Sequence, residues 1–102
     1  TDLDPAVEAR ARELQRGAWG VVHDVTDPEA TRAVVARVLE RHGRLDVLVN
    51  NAGLDRPALF ADTGPGLWRT LVDVNYVGVL NGCHAALDAL RAAPDGGAIV
   101  SI

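Results

Sequence analysis

Two short, nearly unbroken apolar runs, Leu45-Asp46-Val47-Leu48-Val49 and Ala98-Ile99-Val100-Ser101-Ile102, constrain this chain more than anything else in it. Each is too short and too apolar for a surface helix, so each reads as a strand covered on both faces. A third run, Ala18-Trp19-Gly20-Val21-Val22, has the same character and ends at His23-Asp24-Val25. Helically spaced stretches separate the three. Strands joined through helices run parallel, because a parallel pair needs a long crossover. The order helix, strand, helix, strand, long helix, strand therefore predicts an α/β layered sheet.

The helical signals are local. Asp4-Pro5 predicts the first helix, with Asp4 at the N-cap and Pro5 at the first helical position. Val7, Ala11 and Leu14 share one face, acids come early, Arg10, Arg12 and Arg16 come late, and Gly17 supplies the exit. Thr26 with Glu29 makes a capping box for a second helix, whose stripe Ala30, Val34, Val35, Val38, Leu39 runs to about His42 before Gly43. The stretch from Leu54 to Pro65 reads as a loop, and Leu67 to Ala92 as one long helix broken by Pro94-Asp95-Gly96-Gly97. That helix carries two apolar stripes, Val72-Tyr76-Val79-Cys83-Leu87-Leu90 and Leu67-Leu71-Val74-Gly78-Ala85-Ala89. One stripe suffices to cover a sheet. The second predicts another helix or another subunit on the opposite side, hence a homo-oligomer through helix 67–92.

Composition narrows the function. The 102 residues fit one domain, and 48% hydrophobic against 24% charged describes a soluble globular chain. No apolar stretch approaches the ~20 residues of a membrane span, and the start lacks a secretory signal, so the location reads as cytoplasmic, with no membrane partner. Cys83 alone forms no internal disulfide, and His23, His42 and His84 share no ligand spacing, so no metal site is expected. A net charge of -4 argues against a nucleic-acid partner. All ten basic residues are Arg; there is no Lys, one Tyr (Tyr76) and one Ser (Ser101), so no Tyr-Lys proton relay can be completed here. A start without Met and an end inside an apolar run predict an internal segment of a longer protein.

In open parallel α/β sheets, ligands bind outside the carboxyl ends of the strands. Three motifs fall there: Asp24-Val25, Asn50-Asn51-Ala52-Gly53, and Asp2 just ahead of the first helix. Carboxylates accept hydrogen bonds from ribose hydroxyls or an exocyclic amine, and Ala-Gly lets a ring or sugar approach the backbone. Asp2 precedes the capping Asp4 and is read as free of capping duty. The set describes a nucleotide-sized site. Taken alone, Asp24 reads more readily as a turn or helix-capping residue and the two Asn as a tight turn; in the ordered set the ligand reading is added to these. Trp19 and Trp68 read as packing residues, and Cys83 as a small core residue.

Taken in order, these blocks resemble the classical short-chain dehydrogenases/reductases: Asp24-Val25-Thr26-Asp27, Gly43 through Gly53, Trp68 followed by Val74-Asn75, and Gly96 through Ile102. The resemblance covers nearly the whole chain and implies residues 1–102 of a Rossmann-type, doubly wound NAD(P)-binding domain, with three strands and three helices of the full fold. It implies that Asp24, by its side chain, and Val25, by its backbone, hold the adenine. Asn50, Asn51, Ala52 and Gly53 would line the ribose and support the sheet, with Asn51 the direct contact. Asn75 would join the proton relay by holding a water through its carbonyl, and is the one catalytic candidate. An acid at Asp2 accepts from both ribose hydroxyls and repels a 2′-phosphate, so NAD is expected over NADP.

The chain departs from the family pattern in three places. The glycine-rich phosphate loop, due about 20 residues before Asp2, and the Tyr-x-x-x-Lys are not in it. Tyr76 is followed four positions later by Leu80, and the family's catalytic Ser would come just after Ile102, so Ser101 is not that residue. The reading is thus a segment of an enzyme that transfers hydride between nicotinamide and a carbonyl or secondary alcohol, the segment itself being inactive. The alternatives are a non-catalytic nucleotide-binding or scaffold protein on the same fold and a flavodoxin-like signalling domain, the latter lacking its acidic cluster. Substrate, direction and oligomer size are not encoded here. Without neighbours for its first strand, the isolated segment is expected to be unstable or to aggregate through open sheet edges.

Overall fold

The computed structural model describes residues 1–14 and 17–102. Arg16, expected late in the first helix, lies outside them. Helix α1 spans Val7–Glu13, two residues later than the Asp4-Pro5 signal. Asp4 forms a turn ahead of it, its Oδ1 accepting the Ala6 N–H at 2.9 Å and its carbonyl the Val7 N–H at 3.0 Å. Gly17 has the left-handed φ of 78° expected of the exit.

Helix α2 spans Pro28–His42, and its N-cap is Asp27 rather than Thr26. Asp27 Oδ1 accepts from Glu29 N–H at 2.8 Å and Ala30 N–H at 3.0 Å. Pro28 explains the shift, since it lacks an N–H and sits naturally at the first helical position. The expected capping box is absent because Thr26 faces Asp24 instead. At the other end Gly43, with φ 73°, closes the helix by donating its N–H to Leu39 O at 2.8 Å.

Strand β1 spans Val47–Asn50, helix α3 Pro65–Val72, helix α4 Gly78–Arg91 and strand β2 Ala98–Ser101. The expected single long helix is thus two helices, joined by a π-helical turn over Asp73–Val77 that adds one residue to the winding. Ahead of α3, Phe60 stacks on Trp68 with centroids 5.1 Å apart, and Trp68 Nε1 donates to Thr63 Oγ1 at 2.8 Å. Trp19 lies under Arg37 and Arg41 of α2, at 5.0 and 5.6 Å from its ring centroid. Both indoles are engaged within the fold.

β1 and β2 pair in parallel, Val47 opposite Ala98 through Asn50 opposite Ser101. The α/β class with a parallel sheet is therefore as expected. The third strand is not: residues 18–22 run beside Asp2 with a single parallel bridge, Asp2 to Val22. Asp2 N–H donates to Val21 O at 3.2 Å and His23 N–H to Asp2 O at 2.9 Å. Nor are the strands covered on both faces. Leu48 and Asn50 lie against α4, while Val47 and Val49 are each 52% exposed and β2 is exposed throughout. A strand is buried by its neighbours, and no second layer covers that face among the described residues.

Helix α4 packs against α2, β1 and β2. Its buried line is Gly78, Gly82, Ala86 and Leu90, which takes Leu90 from the first expected stripe and Gly78 from the second and otherwise runs between them. Small residues allow the closest approach, so packing selects them over larger apolar ones. Val72, Tyr76, Leu80 and Leu87 remain exposed on the outside. Among the described residues no helix is long and apolar enough to cross a membrane, and no group of His, Cys, Asp and Glu could hold a metal ion.

Candidate functional site

Helix α4 and the π turn before it gather the separate strand ends. Asn81 Nδ2 donates to the carbonyl of Val25 at 2.9 Å. One turn earlier, Gly78 makes room for the Val25 side chain, since a Cβ there would sit 2.7 Å from Val25 Cγ2. Gly82 does the same for Asn50, whose Oδ1 would lie 2.6 Å from an added Cβ. Asn50 Nδ2 in turn donates to Cys83 Sγ at 3.6 Å and Ser101 Oγ at 3.3 Å. Asn75, in the π turn, clasps Leu54 with two hydrogen bonds of 2.8 Å, accepting its N–H and donating to its carbonyl.

From Asn75 to Gly82 the axis advances only about 10 Å. Both candidate edges, Asp24-Val25 and Asn50 through Leu54, are therefore docked on neighbouring turns of one helical segment. Sequence reasoning missed Asn81 and Gly82 as the docking residues. Their signal was the recurrence of Asn75, Gly78 and Asn81-Gly82 at helical spacing, which places them on one face.

The first edge is polar and tightly bonded. Asp24 Oδ1 accepts from Thr26 N–H at 2.9 Å and Thr26 Oγ1–H at 2.8 Å, and these bonds hold the carboxyl below its ordinary 3.8. Asp2 is not free, contrary to expectation: its Oδ1 accepts the Asp4 N–H at 3.0 Å, forming an Asx turn. On both aspartates these bonds fall on Oδ1, and both residues are exposed.

Beneath them His23 is buried at 8% exposure. Its Nε2 lies 2.9 Å from Thr31 Oγ1, and that hydroxyl already donates to Asp27 O at 2.8 Å. A hydroxyl has one proton to give, so Thr31 accepts and His23 carries its hydrogen on Nε2. Burial lowers the pKa of this imidazole below 6.5, against the opposing pull of Asp24 and Asp27.

Residues 2–102 match the model of the short chain dehydrogenase family. The chain belongs to that family. It is 40% identical over 98 residues to oxidoreductase UcpA of Escherichia coli strain K12, covering 93% of this chain and 37% of that protein. It is 38% identical to the peroxisomal 2,4-dienoyl-CoA reductase of Arabidopsis thaliana, covering 98% of this chain and 36% of the relative. Among solved structures, the ligand-free aldohexose dehydrogenase of Thermoplasma acidophilum superposes with a TM-score of 0.77 at 28% identity. That match covers 85% of this chain and 34% of the other. The chain thus spans little more than a third of the length of these relatives.

In this short-chain dehydrogenase segment the motif residues divide by role. Asn50 is half-buried and ties β1 to β2 and α4, whereas Asn51, Ala52 and Gly53 are exposed beside it. An added Cβ at Gly53 would meet Asn75 Oδ1 at 3.5 Å, an ordinary contact, so the clasp lies directly behind that glycine. Ser101 bonds Asn50, and Tyr76 is 63% exposed on the outer face of the helical segment. The Rossmann-like, incomplete α/β arrangement is shared with the dehydrogenase neighbour.

Proposed function

We propose that residues 1–102 are part of the cofactor-binding domain of an oxidoreductase that transfers hydride between nicotinamide and a carbonyl or secondary alcohol. The observation that carries this is the shared dock: the Asp24-Val25 edge and the Asn50-to-Leu54 edge meet on one helical segment through Asn75, Gly78, Asn81 and Gly82. The residues fit a dinucleotide. Asp2 and Asp24 are exposed carboxylates at the ends of adjacent parallel segments, with Oδ1 held and Oδ2 outside those bonds. Asn51-Ala52-Gly53 offers small, exposed backbone to a sugar.

In this reading Asp24 accepts from the adenine amine, the Val25 backbone lines the ring, and Asp2 accepts from the ribose hydroxyls. Asn50, Asn51, Ala52 and Gly53 form the second ribose edge, with Asn51 the contact and Asn50 the support. The Asn75 carbonyl holds a water of the proton relay while its side chain keeps Leu54 in place. Bound nicotinamide supplies the hydride donor or acceptor. A carboxylate at Asp2 repels a 2′-phosphate, which favours NAD over NADP. The exposed line Val72, Tyr76, Leu80 and Leu87 is the face through which the protein forms a homo-oligomer.

Titration of the full-length protein with NAD and NADP tests the reading. NAD binding the tighter, with Asp2→Ala erasing the difference, is expected. Tighter NADP binding overturns the role of Asp2, and binding of neither overturns the whole. Turnover of a panel of secondary alcohols and carbonyls, followed by nicotinamide absorbance, separates an enzyme from a protein that only binds.

A further inference from the structure

We infer that Asn81 is a positioning residue that sets the base preference of the adenine edge by aiming the Asp24 carboxylate. The inference rests on the nucleotide reading above and deepens it. The peptide group between Val25 and Thr26 is planar, so its carbonyl and its N–H turn together. Asn81 Nδ2 holds the carbonyl at 2.9 Å, and Asp24 Oδ1 holds the N–H at 2.9 Å. Asp24 is thus tied to α4 through a rigid plate pinned at both ends. A third point comes from Val25 Cγ2, seated in the space left by Gly78, and a fourth from Thr26 Oγ1, which donates to the same carboxylate oxygen at 2.8 Å.

Asn81 is half-buried, and its bond spans 56 positions of sequence, so it is a tertiary tie rather than a helical convenience. Only a donor can serve there, because the group it meets is a carbonyl. If Asn81 no longer holds that carbonyl, the plate rotates about the backbone bonds on either side of it. Asp24 Oδ1 follows the Thr26 N–H, and Oδ2 leaves the position at which it meets the base. A plain packing role would change stability and leave base preference untouched.

The test uses the full-length protein and two dinucleotides that differ at one group, nicotinamide adenine dinucleotide and its hypoxanthine analogue. The adenine amine donates to a carboxylate, whereas the hypoxanthine carbonyl repels it. Wild type is expected to prefer adenine by about ten-fold, the worth of one charge-assisted hydrogen bond. Asn81→Asp, the same shape without the donor, is expected to bring the preference close to parity. Asn81→Ala serves as a second variant, and a ratio of affinities does not depend on the fraction of protein folded. Either variant keeping the wild-type preference overturns the inference while leaving the nucleotide reading intact. A wild type that binds both dinucleotides equally overturns the role of Asp24 and the inference with it. A wild type that binds neither overturns the proposed function itself.

Discussion

The side-chain amide of Asn75 imitates a strand neighbour for Leu54, accepting its N–H and donating to its carbonyl, both at 2.8 Å. The π turn that carries Asn75 places the amide under the exposed Asn51-Ala52-Gly53 segment. Replacing Asn75 by Ala removes both bonds and is expected to lower stability of the full-length protein by about 1–2 kcal/mol. Asn75→Asp keeps the acceptor but turns a carboxylate oxygen toward the Leu54 carbonyl, so it is expected to cost at least as much as Asn75→Ala. Denaturant midpoints measure both, and an unchanged Asn75→Ala midpoint contradicts the clasp.

Besides the glycines packed on side chains, such as Gly78 and Gly82, some lie against backbone and others stand in open space. A Cβ at Gly20 would lie 2.3 Å from Val7 O, and one at Gly97 2.6 Å from Leu90 O. Backbone cannot step aside as a side chain can, so Gly20→Ala and Gly97→Ala are each expected to cost about 3 kcal/mol or more. Gly66, inside α3 with nothing within 4 Å, is expected to gain about 0.5–1 kcal/mol as Ala. Thermal melts of the three variants rank them.

His23 gives stability a pH dependence of known sign. Its folded pKa is lowered by burial from the ordinary 6.5, so the unfolded chain takes the proton first as pH falls. The contribution is full above 6.5, declines as pH drops from there to the lowered value, and levels off below it. Urea midpoints across that window should show the decline, and His23→Gln, which cannot titrate, should flatten it.

The neighbouring turn separates two candidate caps. Asp27→Ala is expected to cost about 1 kcal/mol through loss of the N-cap of α2. Thr26→Val leaves that cap in place and removes one donor to Asp24, so the Asp24 carboxyl should move up toward 3.8. An NMR titration of Asp24 and an unfolding curve for each variant distinguish the two roles. If Thr26→Val costs the helix as much as Asp27→Ala, the cap is shared.

Much of the architecture follows from local chemistry. Gly43 ends α2 because glycine alone adopts φ 73° without penalty, and Val47–Asn50 and Ala98–Ser101 pair in parallel because a helical crossover joins them. Where several groups compete locally, the outcome was not legible. Thr26, Asp27 and Pro28 each signal a helix start, and only the turn that Thr26 makes with Asp24 leaves the cap to Asp27. Asp2 looked unengaged, yet the Asp4 N–H two residues on was within reach of its side chain.

By itself, then, the sequence determined the order of the first two helices and the two paired strands, the direction of those strands and the polar groups at their ends, because turns, caps and apolar runs act over a few residues. Only the tertiary structure decided which of those ends stand together. The π turn at Asp73–Val77 and the docking of Val25, Asn50 and Leu54 on Asn81, Gly82 and Asn75 join positions 21 to 56 residues apart. So did the exposure of Val47 and Val49, since the covering of a strand belongs to its neighbours and not to its own side chains.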